Sequence, residues 1–201
     1  LIVEGATFPL KRISYYDKYK DLYKRWSIKE ESILTIISDY SFRLVEELSD
    51  DEPWKIDNFF RDDRLIEEYI FDLLEGQMIE EFICEWFREK GYAAEKVGSD
   101  AQGRLVRSKS SKITTKPDLL VNNKYIEIQI SRRGRLKHYH IKKDKGDRIS
   151  KQLNTLMFIV EDEYLIIDKG VIDKSRLIKN PCWGNKLCYE ICDKDIIYNK
   201  L

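Results

Sequence analysis

The chain has 201 residues, with 36 Lys+Arg balanced by 36 Asp+Glu for a formal charge of zero, enough for one cored domain with an appended element. With 42% hydrophobic residues, 12 Tyr, 8 Phe and 4 Trp but only 9 Gly and 4 Pro, the composition excludes a disordered or low-complexity chain. No apolar run approaches the roughly 18 residues of a membrane-spanning helix, and no charged-then-apolar leader is present, so no membrane partner and a cytoplasmic location are expected.

In chain order, Ser27-Ile-Lys-Glu30 has the spacing of a capping box, and apolar residues at helical intervals continue through Ile28, Ile33, Ile36, Ile37, Val45 and Leu48. A second helical region runs from Trp54 to Lys90, with Gly91 placed to end it. β-like pieces follow at 93–97, 104–106, Leu119–Val121 and Lys124–Ile130, the last two joined by the turn Asn122-Asn123. A short helix over 144–154 precedes strands at 156–160 and 164–168, which flank an acidic turn at 161–163. This order predicts an α/β fold: a central mixed β-sheet flanked by helices, with an α-helical N-terminal addition. Expected boundaries are 1–69 for that addition, 70–170 for the core and 171–201 for a C-terminal addition packed on it.

Charge is segregated along the chain. Residues 1–103 carry 14 Lys+Arg against 24 Asp+Glu, residues 104–151 carry 15 against 4, and residues 152–201 carry 7 against 8. The basic middle segment predicts a polyanionic partner. Cys84, Cys182, Cys188 and Cys192 contain no CxxC pair and are expected to be reduced thiols, two of them in apolar surroundings. Their spacing is poor for an iron–sulfur cluster.

The segment Lys116-Pro117-Asp118 through Glu127-Ile-Gln129-Ile-Ser131 carries the chemistry. Pro117 suits a strand's start, which puts Asp118 there. Alternation along the next strand gives Tyr125, Glu127, Gln129 and Ser131 one face and Ile126, Ile128 and Ile130 the other. If the hairpin brings Asp118 beside Glu127, two hard oxygen donors converge in a way that suits Mg²⁺, with Mn²⁺ as a substitute.

A Pro-Asp, a short hairpin and then Glu-x-polar resembles the active-site motif of the PD-(D/E)XK restriction-endonuclease-like nuclease superfamily, which includes type II restriction enzymes and archaeal Holliday-junction resolvases. The stretch Gly76-Gln-Met-Ile-Glu80 to Gly91-Tyr92 is similar to the first core helix of that superfamily. The resemblance spans about residues 70–170. It implies a restriction-endonuclease-like core, Mg²⁺-dependent hydrolysis of DNA phosphodiesters, Asp118 and Glu127 as catalytic metal ligands, and Glu80 as a third. Gln129 stands where the family usually has lysine; some members use Glu-x-Gln. A neutral amide can orient water but brings no positive charge, so Lys116, Lys142 and Lys143 are the lysines considered as replacements.

The segment 131–145 follows directly, and from it Arg132, Arg133, Arg135, Lys137, His138, Tyr139, His140, Lys142 and Lys143 are expected to contact DNA. Arg104, Arg107 and Lys116 extend this basic surface from the preceding loop. The two histidines lack Cys partners at zinc spacing. The expected function is that of a type II restriction endonuclease cutting duplex DNA as a homodimer. The alternatives are a structure-selective nuclease of the junction or repair type, and a degenerate DNA-binding module.

Overall fold

The computed structural model describes residues 26–32, 35, 66–98, 116–131, 134–151 and 153–201. The chain divides into two compact units, Leu1–Lys116 and Pro117–Leu201. The expected boundaries near residues 69 and 170 do not coincide with this division. Residues from 171 onward belong to the same unit as the Asp118 hairpin and furnish strands to it.

In the first unit, helix α1 spans Ile66–Glu89. Met78, Ile79, Phe82, Ile83 and Trp86 are buried, one stripe at helical spacing. The helix ends as expected at Gly91, whose φ is +84°. Gly91 N–H donates to Arg88 O at 2.9 Å and Tyr92 N–H to Phe87 O at 3.0 Å, the paired bonds of a Schellman motif. Arg88 Nε then donates to Ala94 O at 3.0 Å, tying the helix end to strand β1 (Ala94–Lys96).

The capping box expected at Ser27 is displaced. Ser27 lies in a turn with φ +64°, and helical residues begin at Glu30. A tertiary partner serves that helix start, since Lys29 N–H donates to Glu89 Oε1 at 3.0 Å. The rest of the helix expected to Leu48, residues 54–65 and the strand expected at 104–106 lie outside the described residues.

The second unit is mixed α/β. Strands β2 (Leu119–Val121) and β3 (Lys124–Ile130) form the expected hairpin. Asn122 and Asn123 have φ +45° and +65°, the two left-handed residues of a type I′ turn. Strands β4 (His138–Lys142), β5 (Thr155–Val160), β6 (Glu163–Ile167), β7 (Arg176–Asn180), β8 (Lys186–Cys192) and β9 (Tyr198–Lys200) follow. Within the unit one sheet runs in the order β2-β3-β5-β6-β9, parallel at β3/β5 and antiparallel elsewhere. A second, antiparallel sheet has the order β4-β8-β7.

Helix α2 (Lys143–Ser150) continues from β4, and α3 (Lys169–Lys174) starts at Asp168, whose side chain accepts from Val171 N–H at 3.1 Å. The core joins Tyr139, Ile141 and Ile191 of the small sheet, Leu156, Phe158, Val160, Leu165 and Ile167 of the large one, and Ile149 and Ile172 of the helices. Residues 156–160 of β5 are all buried, as a central strand covered on both faces requires. None of the described helices is long and apolar enough to cross a membrane.

Candidate functional site

The hairpin register carries Asp118 toward Glu127. Leu119 pairs with Ile126, Leu120 with Tyr125 and Val121 with Lys124. Continued one step beyond its last pair, this register would set Asp118 across from Glu127. Asp118 Oδ2 accepts the Ile128 N–H at 2.7 Å. That bond crosses the mouth of the hairpin and holds the carboxylate at its edge.

Parity then places Gln129 beside Glu127. Parallel pairing of Glu127 with Leu156 and of Gln129 with Phe158 puts both on the sheet face that carries the core of the second unit, and both remain half-buried. The alternation read from sequence holds, with one difference. The isoleucine face is not uniformly sealed: Ile126 is buried, whereas Ile128 and Ile130 are half-buried. Ser131 is buried, donating to Gly134 O at 2.6 Å and, through its N–H, to Ile159 O at 2.8 Å. It closes the strand structurally.

Lys145, read from sequence only as one charge of the basic segment 131–145, joins this cluster. Lys145 Nζ lies 2.8 Å from Glu127 Oε1, with side-chain exposures of 21% and 15%. The signal for it was helical spacing, because Lys145 stands four residues before the buried Ile149 and shares its inward face. The lysines named in advance are placed otherwise. Lys116 and Lys142 are exposed, and Lys143 is ion-paired to Asp147, which keeps its ammonium pKa raised.

Asp118 and Glu127 are oxygen donors of the type a hydrated Mg²⁺ takes one or two of, and here Glu127 is paired with Lys145 while Asp118 accepts the Ile128 N–H. Among the described residues no three His, Cys, Asp or Glu side chains form a group that could hold a metal, so no all-protein cage is found there. Glu80 lies on α1 in the first unit, its Oε2 3.7 Å from Lys96 Nζ, which also lies 3.0 Å from Gln77 Oε1 and 3.7 Å from Glu81 Oε2. Within that unit Glu80 is therefore part of an ion-pair cluster around a nearly buried ammonium.

The residues expected to meet DNA separate into several groups. Arg104, Arg107, Arg132 and Arg133 lie outside the described residues. Lys137, His138 and Lys142 are exposed. Arg135 donates to Glu163 and stands 4.1 Å over the Tyr198 ring, so its guanidinium is already engaged. His140 is half-buried, 3.4 Å from Glu190 and 3.3 Å from Asn180, with its ring edge-on to Trp183. The expectation for Tyr139 is corrected: it is fully buried. Its ring packs edge-to-face on Phe158, and its hydroxyl accepts the Leu136 N–H at 3.1 Å and lies 2.6 Å from the Tyr198 hydroxyl. Strand β4 was not foreseen. Its alternation turns Tyr139 and Ile141 to the core and His138, His140 and Lys142 away from it.

All four cysteines are free thiols, with Cys84 and Cys188 buried and Cys182 exposed. Burial pushes the Cys84 thiol up to about 11 and raises that of Cys188 as well. Compared with protein-family models, with curated proteins and with solved structures, the chain gives no match in any of the three.

Proposed function

We propose that this chain is a Mg²⁺-dependent endodeoxyribonuclease with a restriction-endonuclease-like core, acting as a type II restriction enzyme on duplex DNA as a homodimer. The single observation that carries the reading is the hairpin register, which continued one step would set Asp118 across from Glu127, with Gln129 on the face of Glu127. Asp118 and Glu127 are hard oxygen donors of the kind that Mg²⁺ takes one or two of, alongside its waters. A bound Mg²⁺ or Mn²⁺ supplies Lewis-acid stabilisation of charge on the scissile phosphate. Asp118 and Glu127 would hold that ion. Gln129 orients the attacking water through its amide without acting as a base. The exposed Lys137, His138 and Lys142 would give the backbone of the DNA cationic contacts.

The test is cleavage of a mixture of plasmids by purified protein with Mg²⁺, followed by fragment mapping. Discrete fragments that share one short palindrome are expected. Cutting confined to branched substrates would replace restriction with junction or repair cleavage. Binding without cutting would leave the fold as a DNA-binding module, the outcome that Gln129 motivates. Asp118→Ala and Glu127→Ala should each abolish cleavage while retaining DNA binding in Ca²⁺, because each removes a metal ligand and no phosphate contact. Near-normal rates in either variant would overturn the assignment.

A further inference from the structure

We propose that Lys145, delivered from helix α2, supplies the positive charge that the strand motif lacks at Gln129. The inference rests on the function proposed above. Before the metal enters, the ammonium neutralises Glu127 across 2.8 Å and keeps a half-buried carboxylate from standing alone. With Glu127 engaged by a bound ion, the same ammonium would stand beside the attacking water and the phosphate. There it stabilises negative charge as the water oxygen bonds to phosphorus and one phosphorus–oxygen ester bond breaks. The water gives up its proton to solvent, and the departing oxygen takes one up.

The helix is fastened in a way that aims this side chain. A Cβ at Gly146 would come within 2.3 Å of Tyr189 Cδ2, so the backbone next to Lys145 lies directly on the Tyr189 ring. The Tyr189 hydroxyl donates to Asp147 Oδ1 at 2.8 Å, and Lys143 binds the other oxygen of that carboxylate. Ile149 is buried one turn further on. Three of the four residues that follow Lys145 are thus fixed to β8 or to the core. A lysine on a helix so held can take over a charge that the family usually places on the strand, because the chemistry needs the charge at a point in space and not at a point in sequence.

The experiment compares Mn²⁺ affinity by calorimetry with single-turnover plasmid cleavage for the full chain, Lys145→Met, Lys145→Arg and Asp118→Ala. Methionine keeps most of the apolar stem, so packing is preserved. Lys145→Met is expected to bind Mn²⁺ about twofold to fivefold more tightly, since it removes a cation that competes for Glu127. It should nonetheless cleave on the order of 10²-fold more slowly, with partial recovery in Lys145→Arg. A merely structural lysine would weaken metal binding and cleavage together, and that result would overturn the proposal. So would unchanged cleavage in Lys145→Met while Asp118→Ala is inactive. If Asp118→Ala cleaves normally, the metal site itself is misplaced. Should no protein cleave, unchanged Mn²⁺ affinity in Lys145→Met would still reject the competition between Lys145 and the metal.

Discussion

Lys145 and Gln129 approach Glu127 from different elements, the lysine from α2 at 2.8 Å and the glutamine from two places along the same strand. Their roles are therefore exchangeable in a defined way. Gln129→Ala should lower kcat by ~10²-fold with DNA affinity nearly unchanged. Gln129→Lys should be worse, because a second ammonium enters the space beside Lys145. Combining Gln129→Lys with Lys145→Gln should restore much of the rate. Single-turnover cleavage by the three variants checks this, and a double variant no better than Gln129→Lys would refute the exchange.

Gly146 is required by contact. Alanine ordinarily gains up to ~1 kcal/mol over glycine inside a helix. Here its methyl would meet the Tyr189 ring at 2.3 Å, and overpacking of that kind costs about 1–3 kcal/mol. Gly146→Ala should lower the melting temperature and, by shifting α2, slow cleavage. A higher melting temperature would mean that the ring moves freely aside.

Asp147 makes stability acid-sensitive. The hydrogen bond from Lys143, and then that from the Tyr189 hydroxyl, hold its carboxyl below the ordinary 3.8. A depressed carboxylate contributes stability that is present above the unfolded value and lost as pH falls through the folded one. Thermal melts should therefore drop below pH ~3.8, and the drop should be shallower in Asp147→Asn, which will already be less stable at neutral pH. Parallel profiles for the two proteins would dismiss the contribution.

Thiol chemistry should divide by burial. At pH 8 a disulfide reagent should label Cys182 first, with Cys84 and Cys188 reacting only after denaturation. For Cys84 the unfolded thiol ionises near 9.0 while the folded one stays protonated to about 11. Stability should consequently decline as pH rises from 9.0 and level off beyond about 11. Rapid native labelling of Cys84 would contradict its burial.

Salt dependence separates DNA contacts from structural residues. Neutralising the exposed Lys142 should reduce the slope of log binding constant against log salt by ~0.9 if it meets a phosphate. Arg135→Gln should change it less, because that guanidinium already serves Glu163 and Tyr198. Tyr139→Phe should leave the slope alone and cost roughly 1–3 kcal/mol of stability by stranding the Leu136 N–H. A slope that falls in Tyr139→Phe would place this ring against DNA after all.

The local elements were legible wherever one segment's own chemistry decides its shape. Gly91 ends α1, Asn122-Asn123 turns the hairpin, and the period of two along β3 puts Glu127 and Gln129 on one face. The hairpin register from Leu119 with Ile126 to Val121 with Lys124 followed from the length of that turn, since a two-residue loop fixes register. Other features depended on partners remote in the chain. Ser27 lost its capping role because Glu89 serves the helix start instead. Basic composition concealed β4, where only the buried side of the strand shows that Tyr139 is core. Lys145 reaches Glu127 because a parallel crossover returns α2 over β3 and Tyr189 pins it there. Turn residues and strand parity act within a few bonds and are written in sequence. The charge that completes a site is chosen by packing, which only the folded chain decides.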